Sequence, residues 1–292
     1  PTGPSNIVEI ALDTPDLSNL VAALSVADGN LVDVLSGGEF TVLAPTNEAF
    51  ETFLAANGFM SLSEVPTDVL SNILLNHVIS GTINSTNLVD AGSGYSTTNA
   101  SNMDGDNLSL YFDTSSGVTF NGISSVVAAD IVASNGIVHV VDEVIGLPTV
   151  VTFAVSNPAL STLVAALTTE GLSVDIVSIL SSSDEPSPFT VFAPTNDAFG
   201  SLLAELELNA LGDIPVDILE ATLGTHVAPE ANVRSTDLVD GMSVNTISST
   251  ITVSLSDGAK LIDSGGRESN IVAVDIQAYN GVVHVIDNVL LP

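Results

Sequence analysis

Several residue types are scarce or missing from this 292-residue chain. It has no cysteine, which excludes a disulfide framework and thiolate chemistry, and it has no tryptophan. Aromatic residues make up only 4% of the chain, so stacking platforms for bases or sugars are not expected. No apolar run approaches the roughly 18–20 residues that a membrane-spanning helix needs. We therefore expect no direct membrane insertion and no nucleotide-base recognition by stacking.

Basic residues are nearly absent as well. The chain has only three basic residues, Arg234, Lys260 and Arg267, against 35 acidic residues, so its formal net charge is −32. A surface with so few cations cannot neutralise phosphates, so nucleic acid and anionic lipid are disfavoured as partners. Such a surface suits high ionic strength, divalent cations or a basic partner. The apolar fraction of 45% nevertheless predicts a folded core. The chain begins at Pro1 rather than Met, which favours a signal or anchor segment removed upstream.

The sequence contains one long unit twice, in tandem. "FTVLAPTNEAF" at 40–50 returns as "FTVFAPTNDAF" at 189–199, and nine of the eleven positions are identical. "NGIVHVVDEVIGLP" at 135–148 returns as "NGVVHVIDNVLLP" at 280–292. The landmarks keep their order at nearly constant spacing, which indicates a tandem duplication of about 145 residues, far longer than a solenoid repeat. We therefore predict two complete domains, 1–148 and 149–292, each with its own core.

Within each unit the hydrophobic period changes from that of helices to that of strands. In the first copy, Leu17, Leu20 and Leu24 mark an amphipathic helix. The remaining elements predicted there are a buried strand at 40–44, helices at 45–58 and 66–81, and antiparallel strands at 108–112, 117–120, 125–133 and 136–144. The glycine-rich stretches at 90–96 and 263–269 are interpreted as hairpin loops. Helices followed by strands predict an α+β fold.

These blocks resemble the fasciclin (FAS1) domain family. "FTVLAPTNEAF" is similar to the family's first signature block and "GIVHVVDEVIGLP" to its second, with a helix ending in His, here "LLNHVISG", between them. The resemblance implies a wedge or sandwich of two β-sheets with helices packed around it. It also implies a secreted or cell-surface protein that works in adhesion. The residues that carry the resemblance, expected to be structural, are Pro45, Thr46, Asn47, His77, His139 and Asp142, with Pro194, Thr195, Asn196, His226, His284 and Asp287 in the second copy.

Two departures from the animal members limit what is carried over. Asn76 and Thr225 precede the helix-end histidines, where many animal members have a Tyr implicated in receptor binding. The chain also lacks an Arg-Gly-Asp sequence. Integrin-type recognition is therefore not expected, and the strong acidity favours a microbial secreted protein.

The four histidines form two equivalent pairs and are the main candidates for chemistry. His77 and His139, with Asp130 or Asp142, could in principle form a metal or acid/base site. The favoured interpretation is that each ring is buried and satisfied by backbone groups. No zinc, nucleophile or phosphate-loop motif is present, so no catalytic residue is assigned and no cofactor is expected.

A second, weaker candidate is a calcium site. Asp104, Asp106 and Asn107 lie in "NMDGDNLSLYFD", but this segment lacks the flanking helices and the Glu at position 12 of an EF-hand loop. Asn84, Asn99 and Asn107 are in Asn-x-Ser/Thr sequons.

The sequence thus predicts a non-enzymatic protein that binds an extracellular protein or polysaccharide. The first alternative is a structural subunit that self-associates into an extracellular filament or layer. The second, disfavoured by the residue inventory, is a metal-dependent enzyme using His77 and His139.

Overall fold

The computed structural model describes residues 4–292 and contains two compact units. The first ends at Leu147 and the second begins at Pro148. Helices and strands occur in both units, so the predicted α+β class is confirmed. Each unit is described by itself below.

From residue 4 onward the first unit has six α-helices and seven strands. The helices are α1 Ile7–Asp13, α2 Ser18–Val26, α3 Leu31–Gly37, α4 Asn47–Ala56, α5 Thr67–Leu75 and α6 Ser85–Ala91. The strands are β1 Phe40–Pro45, β2 Val78–Ser80, β3 Ser93–Ser101, β4 Asn107–Asp113, β5 Thr119–Phe120, β6 Ser124–Ala133 and β7 Gly136–Val141.

The strands of the first unit hydrogen-bond in a closed cycle in chain order, so β1 lies between β2 and β7. The strands predicted between 108 and 144 are antiparallel to their neighbours, as expected, whereas β1 pairs with β7 in parallel: Phe40 is in register with Gly136 and Pro45 with Val141. A parallel pair needs a long crossover, and here the whole unit between β1 and β7 supplies it. Because β1 is central and flanked on both sides, its residues from Thr41 to Pro45 are all buried.

Two apolar clusters fill the first unit. One lies under the helices and includes Leu20, Phe50 and Leu70. The other lies among the strands and includes Leu110 and Phe120. The alternation along β1 sends Val42 to the first cluster and Leu43 to the second, as the period of two requires. The strand is thus the wall between both halves of the core.

The predicted helix at 66–81 is too long. It ends at Leu75, and the chain then forms β2, which pairs antiparallel with β1. Val78 and Ile79, which lie inside the predicted helix, are buried as strand residues instead. An apolar run of this length is ambiguous between helix and strand.

The predicted hairpin loop at 90–96 is also wrong. Helix α6 ends at Ala91, and β3 runs from Ser93 and pairs with β4. The strand is rich in Ser and Thr, so its hydropathy pattern did not indicate a strand. The rings of Tyr95 and Tyr111 pack across the strand pair with their centroids 5.1 Å apart.

The second unit repeats this plan with shorter outer strands. Its helices are α7 Val150–Ser156, α8 Ser161–Leu167, α9 Ile176–Ser181, α10 Asn196–Glu205 and α11 Val216–Thr225. Its strands are β8 Phe189–Pro194, β9 Val227–Ala228, β10 Ser243–Asn245, β11 Thr250–Ser254, β12 Lys260–Ile262, β13 Glu268–Ala278 and β14 Gly281–Ile286. The seven strands form one sheet in the order β10-β11-β12-β13-β14-β8-β9, and β8 pairs with β14 in parallel.

Candidate functional site

The repeated "APTN" segment is the corner between the central strand and the next helix. Thr46 caps α4 by accepting a hydrogen bond from the Ala49 N–H at 3.2 Å. Asn47 accepts from the Asn19 N–H at 2.8 Å and donates from Nδ2 to the Pro15 carbonyl at 3.0 Å. These bonds fasten the start of α4 to the start of α2.

The second copy makes the same contacts. Thr195 caps α10 through the Ala198 N–H at 3.2 Å, and Asn196 binds the Thr162 N–H at 2.8 Å and the Pro158 carbonyl at 2.9 Å. Pro45 and Pro194 are the last residues of β1 and β8. The chemistry of the block is therefore capping and docking of backbone.

His77 and His226 lie just after the last residues of α5 and α11, near the helix ends where the sequence predicted them. The His77 Nδ1–H donates to the Ile73 carbonyl at 2.8 Å, and Nε2 accepts from the Ile145 N–H at 2.9 Å. His226 repeats this with Thr222 at 2.8 Å and Leu290 at 3.0 Å. Burial disfavours the charged ring and lowers the pKa of both histidines to about 4, although the carbonyl bonds raise it slightly. Both rings are therefore neutral at physiological pH.

His139 and His284 hold the opposite tautomer. The Asp130 N–H donates to the Nδ1 of His139 at 3.2 Å, and its Nε2 donates to the Ile83 carbonyl at 2.9 Å. His284 makes the equivalent bonds to the Asp275 N–H at 3.4 Å and the Val233 carbonyl at 2.9 Å. Burial lowers the pKa of His284. His139 therefore connects β6 to the loop after β2, and His284 connects β13 to the loop after β9.

The histidines do not combine into a reactive site. His77 and His139 lie on opposite sides of β1: Leu43 donates its N–H to the His77 carbonyl and is in register with His139. Both nitrogens of each ring bind backbone groups, so no lone pair is available to a metal or a substrate. Among residues 4–292 no group of three or more His, Asp or Glu is placed to hold a metal ion.

The acidic residues near the histidines bind backbone amides. Asp142 accepts from the Ser125 N–H at 2.6 Å, and Asp287 accepts from the Asn270 N–H at 2.8 Å. Asp130 has a positive φ of 58° and binds Ser85, whose hydrogen bonds lower the pKa of its carboxyl. These groups hold strand ends and helix starts together.

The candidate calcium segment is a tight turn between β3 and β4. The Asn102 side-chain oxygen accepts from the Asp104 N–H at 3.0 Å and from the Asp106 N–H at 2.8 Å. The Asn107 side chain points away from that turn and donates to the Thr98 carbonyl at 2.9 Å. The organising residue of the turn is thus Asn102, which sequence reasoning missed.

The sequon asparagines also have structural contacts. Asn84 caps α6 by accepting the Asn87 N–H at 2.8 Å, and Asn99 accepts from the Ser80 hydroxyl at 2.9 Å. The Nδ2 atom of Asn107, which a glycan would modify, donates to the Thr98 carbonyl. Asn107 is consequently the least suited of the three to carry a glycan.

An exposed apolar strand segment occurs at the same place in both copies. Val127 on β6 and Val272 on β13 are equivalent residues, and their exposed fractions are 58% and 57%. Register shifts interrupt the pairing of each strand with its neighbour at this point. A bulge turns side chains out of the regular pleat, which is why the alternation of the sequence did not reveal this surface.

No single helix in the described part of the chain is long and apolar enough to cross a membrane. Two bent pairs reach the required length and composition only when joined: Pro15–Val26 with Leu31–Gly37, and Val150–Ser156 with Pro158–Leu167.

Curated relatives come from bacteria and animals. Protein sll1483 of Synechocystis sp. is 38% identical over 144 residues, which are 49% of this chain and 73% of that protein. The transforming growth factor-beta-induced protein ig-h3 of Sus scrofa is 29% identical over 257 residues, 87% of this chain but only 35% of its own. The cell surface glycolipoprotein MPB83 of Mycobacterium bovis is 45% identical over 94 residues, 28% of this chain and 41% of its own.

A solved structure shares the fold of the chain. The FAS1 domain pair from the insect cell adhesion molecule Fasciclin I superposes with a TM-score of 0.56 at 21% identity, covering 95% of this chain and 97% of that one. The fasciclin domain model matches residues 15–148 and again 158–292. Together these matches span both copies of the repeat, and the chain belongs to the fasciclin domain family.

Proposed function

We propose that the chain is a secreted or cell-surface adhesion protein that works by binding and not by catalysis. The observation that carries this proposal is the pair of fasciclin domains, in which every histidine is engaged by backbone groups. A binding role then depends on exposed surface. Relatives described as a cell surface glycolipoprotein and as a cell adhesion molecule support the setting.

The proposed binding surface is the bulged strand segment that contains Val127 in the first copy and Val272 in the second. Exposed aliphatic side chains beside an irregular strand edge provide apolar contact area for a protein partner. The register of β6 with β5 ends at Ser125, and the last backbone contact on that side is the Val126 N–H to the Val118 carbonyl at 2.9 Å, directly before Val127. Two equivalent segments in one chain would raise the avidity for a partner that presents repeated sites.

We further propose residues 1–148 and 149–292 as the two domains, with the contacts of Pro45, Thr46, Asn47 and their second-copy equivalents maintaining the fold. An extracellular partner of basic character is favoured, because the 35 acidic residues steer cations toward the surface.

The test is adhesion of particles coated with the full chain to panels of immobilised extracellular matrix proteins and polysaccharides. We expect binding to at least one protein, and a loss of binding in the double variant Val127→Thr/Val272→Thr. Val155→Thr is the matched control, because Val155 is also exposed but lies on helix α7. Binding that is equal in both variants would place the interaction elsewhere, and no binding in any panel would overturn the adhesion proposal.

The filament alternative predicts a different observation. Light scattering of the chain at high salt would show particles that grow with protein concentration, because acidic subunits self-associate only when their repulsion is screened. A monomer at all concentrations would exclude it.

A further inference from the structure

The second unit contains an apolar cleft of about 620 Å³. It lies between the segment 171–180, helix α11 and the turn at 247–248. The apolar residues of its walls include Val174, Ile176, Ile179, Val216, Ala221 and Ile247. Its size is within the range of about 300–1,000 Å³ that is typical of small-molecule sites.

Two lining residues of the cleft differ from their equivalents in the first copy. Ala221 stands where the first copy has Asn72, whose side chain bridges to the Ser101 carbonyl at 2.8 Å and to the Ser101 N–H at 3.0 Å. Gly224 stands where the first copy has Leu75. Alanine at 221 is smaller than asparagine and makes no side-chain bridge, which leaves space beside α11.

Gly224 also allows the far wall of the cleft to approach. A Cβ atom at this position would lie 2.1 Å from the Ser248 hydroxyl oxygen and 3.2 Å from its Cβ. The turn that carries Ile247 can therefore lie directly against α11. Ile247 is 56% exposed, so one wall of the cleft is an aliphatic side chain that remains open to a ligand.

The charge at the rim is negative. Glu220 accepts a hydrogen bond from the Ser173 N–H at 2.6 Å and a second one from the Ser173 hydroxyl, and these bonds lower the pKa of its carboxyl. Asp217 lines the same cleft, and none of the described lining residues is Lys or Arg. A ligand carboxylate, sulfonate or phosphate would meet repulsion without any compensating cation.

We propose that this cleft binds a small apolar molecule that carries no negative charge. The apolar body of the ligand packs against Ile176, Ile179 and Ile247, and the carboxylate of Glu220 excludes anionic amphiphiles. The replacement of Asn72 by Ala221 assigns the site to the second copy. This activity is separate from adhesion through the exposed strand segments.

Two fluorescent probes that share one skeleton test the proposal on the full chain. N-phenyl-1-naphthylamine is uncharged, and 1-anilinonaphthalene-8-sulfonate adds one sulfonate. We expect saturable one-to-one binding of the uncharged probe, with the sulfonated probe weaker by about tenfold because of the rim carboxylates. Glu220→Gln should narrow that difference by strengthening binding of the sulfonated probe alone.

Cleft variants locate the site. Ala221→Leu fills the cleft and Ile247→Ser removes one wall, so each should weaken the uncharged probe by about fivefold or more. Ile218→Ser is the matched control, because Ile218 is on the same helix with an exposed fraction of 49% but does not line the cleft. Circular dichroism melts check that the variants remain folded.

Three outcomes of the probe measurements would overturn the proposal. These are absence of saturable probe binding, equal affinity in the cleft variants and the control, and equal affinity for both probes in the wild-type chain. A dimer that disappears on Ile247→Ser would also overturn it, because the cleft would then be an interface between copies of the chain.

Discussion

The Nε2 atom of His77 accepts a hydrogen bond from the backbone N–H of Ile145, 68 positions further along the chain, at a distance of 2.9 Å. The ring connects the end of α5 to the segment that follows β7. His226 and Leu290 form the same connection in the second copy at 3.0 Å. Because Nε2 must be unprotonated to accept, each connection exists only with a neutral ring.

This geometry predicts that the protein loses stability as the pH falls from about 6.5 to 4. The folded-state pKa of His77 and His226 is about 4, against 6.5 for an unhindered histidine. Within that window the unfolded chain binds more protons, so acidification favours unfolding, and above it the contribution is constant. The full effect is about 3 kcal/mol for each histidine, measured by urea melts across the pH range.

The control for this pH dependence is the double variant His77→Gln/His226→Gln, which has no group to protonate at these positions. Its stability should change less between pH 6.5 and 4.5 than that of the wild type. The urea melts should be measured at high salt, because screening there reduces the effect of surface carboxylate protonation on stability. Parallel pH profiles for wild type and variant would show that the histidines do not cause the effect.

Removing the ring altogether should damage the first unit. His77→Ala leaves the Ile145 N–H without its partner and opens a cavity, and we expect a loss of about 2–4 kcal/mol in the free energy of unfolding. Met60→Ala, at a residue with 91% exposure, is the control and should be neutral. Unchanged stability together with a lost binding activity would contradict the structural role of His77.

The duplication, the α+β class and the positions of β1 and α4 could be predicted because they depend on local patterns. Phe40–Pro45 is a short apolar run, and Thr46 is a capping residue at the expected place. The parallel pairing of β1 with β7 could not be predicted in this way, because it joins residues such as Phe40 and Gly136 that are far apart in sequence. The polar strand β3 was missed because Ser93–Ser101 lacks hydrophobic alternation.

For the site as well, local features could be predicted from the sequence and tertiary contacts could not. A buried, satisfied histidine was expected from the sequence, but the identity of its partners, such as the Ile145 amide, depends on tertiary structure. A comparison of equivalent residues in the two copies, Ala221 and Asn72, points to the cleft beside α11. The sequence contained that signal, but its meaning required knowing that Asn72 bridges to Ser101.

A glycine at the start of the last strand of each unit should be irreplaceable. Gly136 has φ +148°, and a Cβ atom there would lie 1.9 Å from the Phe40 carbonyl oxygen. Gly136→Ala must therefore separate β7 from β1, and we expect a loss of more than about 3 kcal/mol. Gly200→Ala is the opposing control: Gly200 lies inside helix α10 with open space around it, so alanine should stabilise by about 0.5–1 kcal/mol. Thermal melts that show equal effects would contradict the close approach of Phe40.

The fragment 1–148 should fold without the second copy. The first unit has its own apolar clusters, one with Phe50 and Leu70 and one with Phe120. We expect a single cooperative melt and dispersed NMR signals from the isolated fragment. A fragment that binds hydrophobic dye and melts without cooperativity would show that the proposed domain at 1–148 is incomplete.

Added salt should stabilise the protein. The three basic residues already have acidic neighbours: Lys260 lies 3.2 Å from Glu268, Arg234 lies 4.0 Å from Asp275, and Arg267 binds Glu205. With 35 acidic residues in the chain, most carboxylates therefore have no basic partner, and folding brings these like charges closer together. At 0.15 M salt the screening length is about 8 Å, so repulsion between surface neighbours persists and more salt weakens it. Denaturant midpoints should rise across a sodium chloride series.

Calcium at matched ionic strength separates screening from a specific site. Asn102 accepts hydrogen bonds from the backbone N–H groups of Asp104 and Asp106, and Asp104→Asn/Asp106→Asn removes both charges from this turn. Asp13→Asn/Glu51→Gln is the control, because it removes two exposed charges from the same unit. If calcium stabilises the wild type more than sodium does, and only the first variant loses the difference, the turn binds calcium. If calcium and sodium act equally on all three proteins, screening is the whole effect. A midpoint that stays flat or falls with added salt would contradict the repulsion argument itself, because the carboxylates would then be too far apart to interact.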